Sequence, residues 1–410
     1  MSSVRIKSVV RNVVEKSDGS PEPFLGLEDL ASGTGRLLVN ELPLKAAEDS
    51  IRHKSGDVLF SKLRPYLAKS HLPQVPGTGT AELLVLRPGG LIDAKFLLYV
   101  TLSQPWVEWA NTTAYGTKMP RTSWELIGDY RTWLPPLEEQ RRIAGFLDIE
   151  TARIDQLAAA REVQISALEE RELAVIADML SGGATSNDGR ATGWPWLPNI
   201  PPAWSIGPVY AYFSTELGKM LNADRASGMN QRPYLRNANV HWYEIDTSDM
   251  AAMSFEADEV NRYSVSPGDL LVCEGGAGVA EAAVWDGRIE ECYFQKSLHR
   301  IRKSSALPVE WLMYWLRFAK SCGVFDAGGN LATIPHLTGE QLRQYRIPIP
   351  TEGQELVRNT GRSIDYMAKV RRTLGQAQSL FAERRQALIT AAVTDQFDVS
   401  AASGRGVDSA

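Results

Sequence analysis

An α+β molecule, built from two similar mixed α/β halves and a pair of long antiparallel helices, is what this sequence predicts. Three observations lead there. Two runs, 137–180 and 351–396, keep a helical apolar periodicity well past ordinary helix length. Both runs are entered by a similar segment, WLPPLEEQ at 133–140 and IPIPTEGQ at 347–354. A series of short motifs also recurs in the same order ahead of each run, the signature of an internal repeat.

Taken in order, VRIKSV (4–9) and WSIGPV (204–209) read as the first strand of each half. FLGLEDL (24–30) stands where YLRNANV (234–240) stands later. KSGDVLFSKL (54–63) parallels SPGDLLVCEG (266–275), a Gly-Asp turn followed by a strand, and ELLVLR (82–87) parallels SLHRIR (297–302). Helices open at 96–100 and 311–316. Pro-containing loops follow, GTKMPR (116–121) and NLATIPH (330–336), and then Tyr130-Arg131 and Tyr345-Arg346 lead through a Pro-rich strand into the long helix. Seven such pairs in one order mark a pseudo-two-fold repeat, with globular parts at 1–136 and 204–350.

In the first long helix, Ile143, Leu147, Ile154, Leu157, Leu168 and Val175 form an apolar seam. Pro136 precedes its first turn, and Glu138 and Glu139 place negative charge at its positive end. Such a helix is roughly 65 Å long and needs a partner. The second run supplies one: Met367, Leu374, Phe381 and Leu388 recur every seventh residue, with Ile364 beside them. The spacing predicts an intramolecular coiled coil, set against two ordinary amphipathic helices in separate domains. Gly361 and Gly375 lie inside the second seam, each costing up to ~1 kcal/mol relative to Ala, so a bend or frayed register is expected there. Residues 181–203 read as a linker, polar and flexible at 181–190, Pro-rich and extended at 194–202. A disordered tail is expected over 397–410.

The length of 410 residues favours two or more domains, and 44% apolar residues suffice for packed cores. No run approaches the ~20 apolar residues of a membrane span, and no signal-peptide core follows the first charges, so a cytoplasmic location is expected. Three scattered cysteines, Cys273, Cys292 and Cys322, argue against a disulfide framework and a zinc site. The net charge of −5 weighs mildly against a nucleic-acid partner, although it averages over local clusters.

Catalytic motifs are missing. Neither Pro-Pro pair (Pro135-Pro136, Pro201-Pro202) sits in the Asn/Asp-Pro-Pro-aromatic context of a base methyltransferase, and no Walker A sequence occurs. GGAG at 275–278 lacks the third glycine of a dinucleotide loop and reads better as a hairpin loop. No Ser/His/Asp spacing suggests nucleophilic catalysis. No catalytic residue and no metal site are expected.

Local basic clusters remain. FSKLRPYLAKS and its approach supply Lys54, Ser61, Lys62, Arg64, Tyr66 and Lys69, and the next Pro loop adds Lys118 and Arg121. Cationic and hydroxyl donors of this kind hold phosphates, and Arg, Lys, Asn and Gln read base edges. The second half offers Arg232, Arg236, Asn237, Asn239, Gln295, Lys296, His299, Asn330, Thr333 and His336. Glu274 can accept from a cytosine amino group or serve the turn it sits in. Taken singly, each of these residues fits a solvated face; FSKLRPYLAKS as a unit points to nucleic-acid contact. Arg300 and Arg302 alternate with apolar neighbours and fit a sheet edge.

Together PLEEQRRIAGFLDIETARID, GDVLFSKLRPYLAKS, YGTKMPR, GDLLVCEGG, CYFQKSLHRIR and the repeated helix entry resemble the specificity subunit of Type I restriction–modification enzymes. The resemblance covers residues 1–398. It implies two target recognition domains, each reading half of a split sequence in double-stranded DNA, with the conserved helices as an antiparallel coiled-coil ruler between them. It implies two methyltransferase (modification) subunits, which carry S-adenosylmethionine, and restriction translocase–nuclease subunits as partners. This chain itself would bind no cofactor, would be non-catalytic, and would lie in the nucleoid-associated cytoplasm. Two other readings compete: a stand-alone methyltransferase or nuclease, and a coiled-coil adaptor that does not touch DNA.

Overall fold

The structure, a computed structural model, describes residues 3–46, 48–185, 188–276, 278–325 and 336–399. They form two compact units. The first unites residues 1–163 with 374–410, and the second is residues 164–373.

In the first unit, the apolar run after the Gly-Asp turn is a strand buried at every position. β1 (Val10–Val13), β2 (Val58–Ser61), β3 (Ser70–His71) and β4 (Leu83–Pro88) form an antiparallel sheet in the order β1-β4-β2-β3. In the second unit, β5 (Phe213–Leu217), β6 (Leu270–Cys273), β7 (Ala282–Val284) and β8 (Leu298–Lys303) repeat this plan as β5-β8-β6-β7. Gly275, Gly276 and Gly278 therefore lie in the β6–β7 connection, as the sequence indicates. Each unit adds a smaller mixed sheet with one parallel pair, Glu22–Leu25 beside Gly77–Gly79 and Gln231–Leu235 beside Tyr293–Phe294.

Both Gly-Asp turns close in the same way. Gly56 and Gly268 take φ of 87° and 89°, a region open to glycine at little cost. The buried Asp57 accepts from the Lys54 amide at 2.8 Å and from the Arg87 fork at 2.7 and 2.8 Å. Asp269 accepts from the Ser266 amide at 2.7 Å and from the Arg302 fork at 2.6 and 2.8 Å. Charge-assisted forks of this kind offset the desolvation of a buried carboxylate.

The first strands are shorter than the motifs at 4–9 and 204–209. Ser3–Arg5 pairs with Arg131–Trp133, and Ser205–Pro208 with Arg346–Ile349; a 3-10 turn ends each. The Ile6 amide donates to the Tyr130 carbonyl at 2.8 Å and the Val209 amide to Tyr345 at 2.9 Å, anchoring the strand that feeds each long helix.

The long helices, Leu137–Ser181 and Gly353–Val393, are unbroken. The second helix continues through Gly361 and Gly375 without a break, a propensity cost of this size being small against the rest of the helix. The two helices run antiparallel. Within the first unit, Asp155 meets Arg385 at 3.4 Å and Glu162 accepts from Gln378 at 2.6 Å, so seven residues forward on one helix match seven back on the other. Within the second unit, Glu172 meets Arg371.

The apolar seam is divided between the two cores. Ile143 and Leu147, with Leu388, pack among Phe96, Trp106 and Ile127 of the first unit. Leu168, Val175, Ile364 and Met367 pack around Trp311, Tyr314 and Trp315 of the second. Ile154 is buried and Leu374 and Phe381 are half-buried, whereas Leu157 is exposed and is corrected as a seam residue. The helix ends thus bury their apolar faces in globular cores, and the direct ties between helices above are polar.

Two further expectations change. In place of an extended stretch at 194–202, Arg190–Trp194 and Leu197–Ile200 form a hairpin. Trp194 and Trp196 stack with ring centroids 5.1 Å apart and lie on the second core, giving the segment an apolar anchor. Of the expected tail, Phe397 lies 5.7 Å from Phe146 and Val399 is buried; residues 400–410 lie outside the described residues. No described helix is long and apolar enough to cross a membrane.

Candidate nucleic-acid interface

Beyond the end of β2 the chain turns through Pro65–Leu67, a 3-10 turn flanked by Arg64 and Ala68. Both flanking residues are left-handed, with φ of 49° and 47°. That conformation costs a non-glycine residue about 1 kcal/mol or more, and such strain persists where the surroundings hold it. Here the second loop holds it. The Arg64 amide donates to the Pro120 carbonyl at 2.8 Å, and the Thr122 amide to the Lys62 carbonyl at 3.0 Å. The two loops make one surface bearing Lys62, Arg64, Tyr66, Tyr115, Lys118 and Arg121.

Lys62, Arg64 and Lys118 have no hydrogen-bond or ion-pair partner for their side chains among the described residues. Tyr66 and Tyr115 are exposed rings beside them. Arg121 is half committed, since its fork holds Glu82 at 2.9 and 3.1 Å. Three candidates do not join this surface. The Ser61 hydroxyl donates to the Leu63 carbonyl at 2.8 Å within the loop, and Lys69 donates to the Leu27 carbonyl at 2.6 Å, tying the loop to a distant segment of the first unit. Lys54 precedes β2, about 13 Å from its far end at ~3.3 Å per residue.

The second unit gathers a different set at the same place. The Asn237 amide nitrogen Nδ2 donates to Gly275 at 2.7 Å, and the Ser297 hydroxyl links the Asn237 backbone to the Gln295 side chain at 3.2 and 3.0 Å. Glu274 faces His336 at 3.3 Å, and Lys296 is exposed nearby in sequence.

Four candidates here have partners within the fold, and two of them, Asn239 and His299, are buried and are corrected. Arg232 is taken up by Glu291 at 2.6 Å and the Tyr293 hydroxyl at 2.8 Å, and Arg236 by Asp249 at 2.6 Å. Asn239 is buried, donating to the Asp246 and Asp249 carbonyls at 2.9 and 3.0 Å. His299 is fully buried against the Leu337 carbonyl at 2.8 Å, and burial lowers its pKa, so it braces the fold as a neutral ring. Asn330 and Thr333 lie outside the described residues. Arg300 also turns inward, donating to the Arg262 and Ser264 carbonyls at 2.8 and 2.6 Å.

Among the described residues no cluster of His, Cys, Asp or Glu is arranged to hold a metal. Burial pushes the Cys273 and Cys292 thiols up to about 12, far from a thiolate at neutral pH. Sequence reading missed Tyr115, Glu82 and Ser297; their only signal was alignment of one half with the other.

The fold is a duplicated α/β plan carried on two long helices. A solved chain from work on complex assembly and conformational transition of the type I R-M system shares this fold, with a TM-score of 0.72, 19% identity, and coverage of 97% of this chain and 98% of that one. Over 209 residues, half of this chain, the sequence is 28% identical to the type I restriction enzyme EcoKI specificity subunit of Escherichia coli (strain K12). Over 132 residues it is 26% identical to the EcoDI specificity subunit of Escherichia coli. The chain covers 42% and 28% of the length of these two relatives. No protein-family model matches. In sequence the chain is thus similar to specificity subunits of Type I restriction enzymes, and it shares its fold with a chain of a type I R-M system.

Proposed function

We propose that this chain is the non-catalytic DNA reader of a Type I restriction–modification assembly. Its two globular parts, 1–136 and 204–350, each read one half of a split duplex target, and the two long helices carry the spacing between the halves. Two methyltransferase subunits supply S-adenosylmethionine chemistry, and restriction translocase–nuclease subunits complete the assembly in the nucleoid-associated cytoplasm. The observation that carries this reading is the surface beyond β2. Three cations without an ion pair among the described residues, Lys62, Arg64 and Lys118, lie with two exposed tyrosines on these loops, and the Arg64 backbone is held in a strained conformation. The acidic whole is tolerable because partner subunits contribute to the cationic clamp.

The test is to map methylated positions in cells producing the methyltransferase subunits with and without this chain. A two-part target that appears only with the chain is expected, and methylation independent of it overturns the reading. Binding of the assembly to that target should fall steeply with rising salt, as neutralised phosphates require.

A further inference from the structure

The backbone just past the central strand is the same in both units. The Lys62 amide donates to the Glu82 carbonyl at 2.7 Å, and the Glu274 amide to the Ser297 carbonyl at 2.9 Å. The Lys62 carbonyl accepts from Thr122 at 3.0 Å, and the Glu274 carbonyl from Leu337 at 2.6 Å. The next residue forms an isolated antiparallel bridge in each case, Leu63 with Arg121 and Gly275 with His336. Three positions therefore correspond: 62 with 274, 82 with 297, and 121 with 336.

Their chemistry is opposed. The first unit places a lysine with no ion pair among the described residues next to an arginine–glutamate fork. The second places a glutamate against a histidine, and a serine where the first unit has its glutamate. A lysine only donates and an ionised glutamate only accepts. In the major groove, guanine offers the acceptors N7 and O6, and cytosine offers the N4 amino donor.

We infer that residues 62 and 274 are equivalent base-selecting positions of opposite polarity, Lys62 taking a guanine acceptor edge and Glu274 a cytosine amino group. Arg121 and His336 are positioning residues at the matched bridge. Arg121 holds Glu82 away from Lys62, while His336 orients the Glu274 carboxylate. This rests on the proposed function above and adds which residue selects and with which sign.

The experiment selects bound sequences from a randomised duplex library with the purified assembly of this chain and its methyltransferase subunits, in wild type and in Lys62→Gln and Glu274→Gln. Each variant is expected to relax one base-pair position in one half-site, with about tenfold or greater loss of discrimination there. The other half-site should be untouched. Arg121→Lys and His336→Gln should broaden the same positions less. If the wild-type assembly selects no sequence, the functional reading fails together with the inference. If it is selective but both variants keep the wild-type preference, or lose both half-sites alike, only the assignment of residues 62 and 274 is overturned.

Discussion

In the first unit the position past the central strand is a lysine with no ion pair or side-chain hydrogen bond among the described residues; in the second it is a glutamate facing a histidine. The hydrogen bonds that hold the two backbones there are the same. The Gly-Asp turns and their arginine forks also coincide, down to distances that differ by about a tenth of an ångström. What differs is how each globular part grips the long helices. The first is entered by Arg385, whose guanidinium donates to the Gly33 and Thr34 carbonyls at 2.7 and 2.9 Å and whose pKa burial lowers. The second surrounds the fully buried Glu172 with Arg317 at 3.1 Å, the Tyr243 hydroxyl at 2.8 Å and Arg371. The duplicated parts thus keep their sheets and turns while the charged grip on the helices is reinvented. Even the echoed glutamines diverge: Gln140 is buried and bonded to Leu91, Asp93 and Pro135, whereas Gln354 is exposed.

The largest test of that contrast is Glu172→Ala. It strands two arginines and a tyrosine, and should cost the second unit about 3 kcal/mol or more. Hydrogen exchange resolved by unit should show the loss in 164–373, with the protection of Phe96 and Trp106 little changed. Loss of similar size in both units would break the contrast. Next, Asp57→Asn and Asp269→Asn each weaken a charge-assisted fork and should each cost about 2 kcal/mol in urea unfolding. Equal costs sharpen the equivalence of the turns; a difference above about 1 kcal/mol would count against it.

Arg64→Gly should relieve left-handed strain and stabilise the first unit by about 1 kcal/mol, while weakening DNA binding by the assembly. Thermal melting and binding measured on one preparation would show both, and a stabilised variant with undiminished binding would separate the strain from function.

The smallest effect concerns pH. The folded pKa of His299 lies below its ordinary 6.5 because burial disfavours the cation. As pH falls below 6.5 the unfolded chain takes up the proton first, so stability drops with decreasing pH and is recovered above that value. His299→Gln should flatten this part of the pH–stability profile of the second unit. An unchanged slope would exclude the buried ring as its source.

Much of this architecture was legible because it rests on local chemistry. A Gly-Asp turn before an apolar run announces β2 and β6, and the order of short motifs announces the repeat. The fate of individual polar side chains was not legible. Ser61, Lys69, Asn239 and His299 look like ligand donors in sequence, yet each is taken up by a backbone carbonyl, two residues on for Ser61 and from a separate segment for Lys69 and His299. The hairpin at 190–200 was hidden for a related reason. Its prolines suggest an extended chain, and only the core under Trp194 and Trp196 makes folding back favourable. The heptads of the long helices were visible, but periodicity cannot tell a facing helix from a globular core.

The first unit is assembled from two stretches separated by more than two hundred residues, 1–163 and 374–410, while the second is one continuous stretch. A ribosome delivers the chain from its N-terminus, and domains ordinarily mature in that order. Here the segment with Arg385, Ile389 and Val393, which closes the first unit, emerges after the whole second unit has been made. Maturation is therefore inverted: the later-encoded half can complete itself during translation, and the earlier one waits, incompletely shielded, for the final helix to arrive.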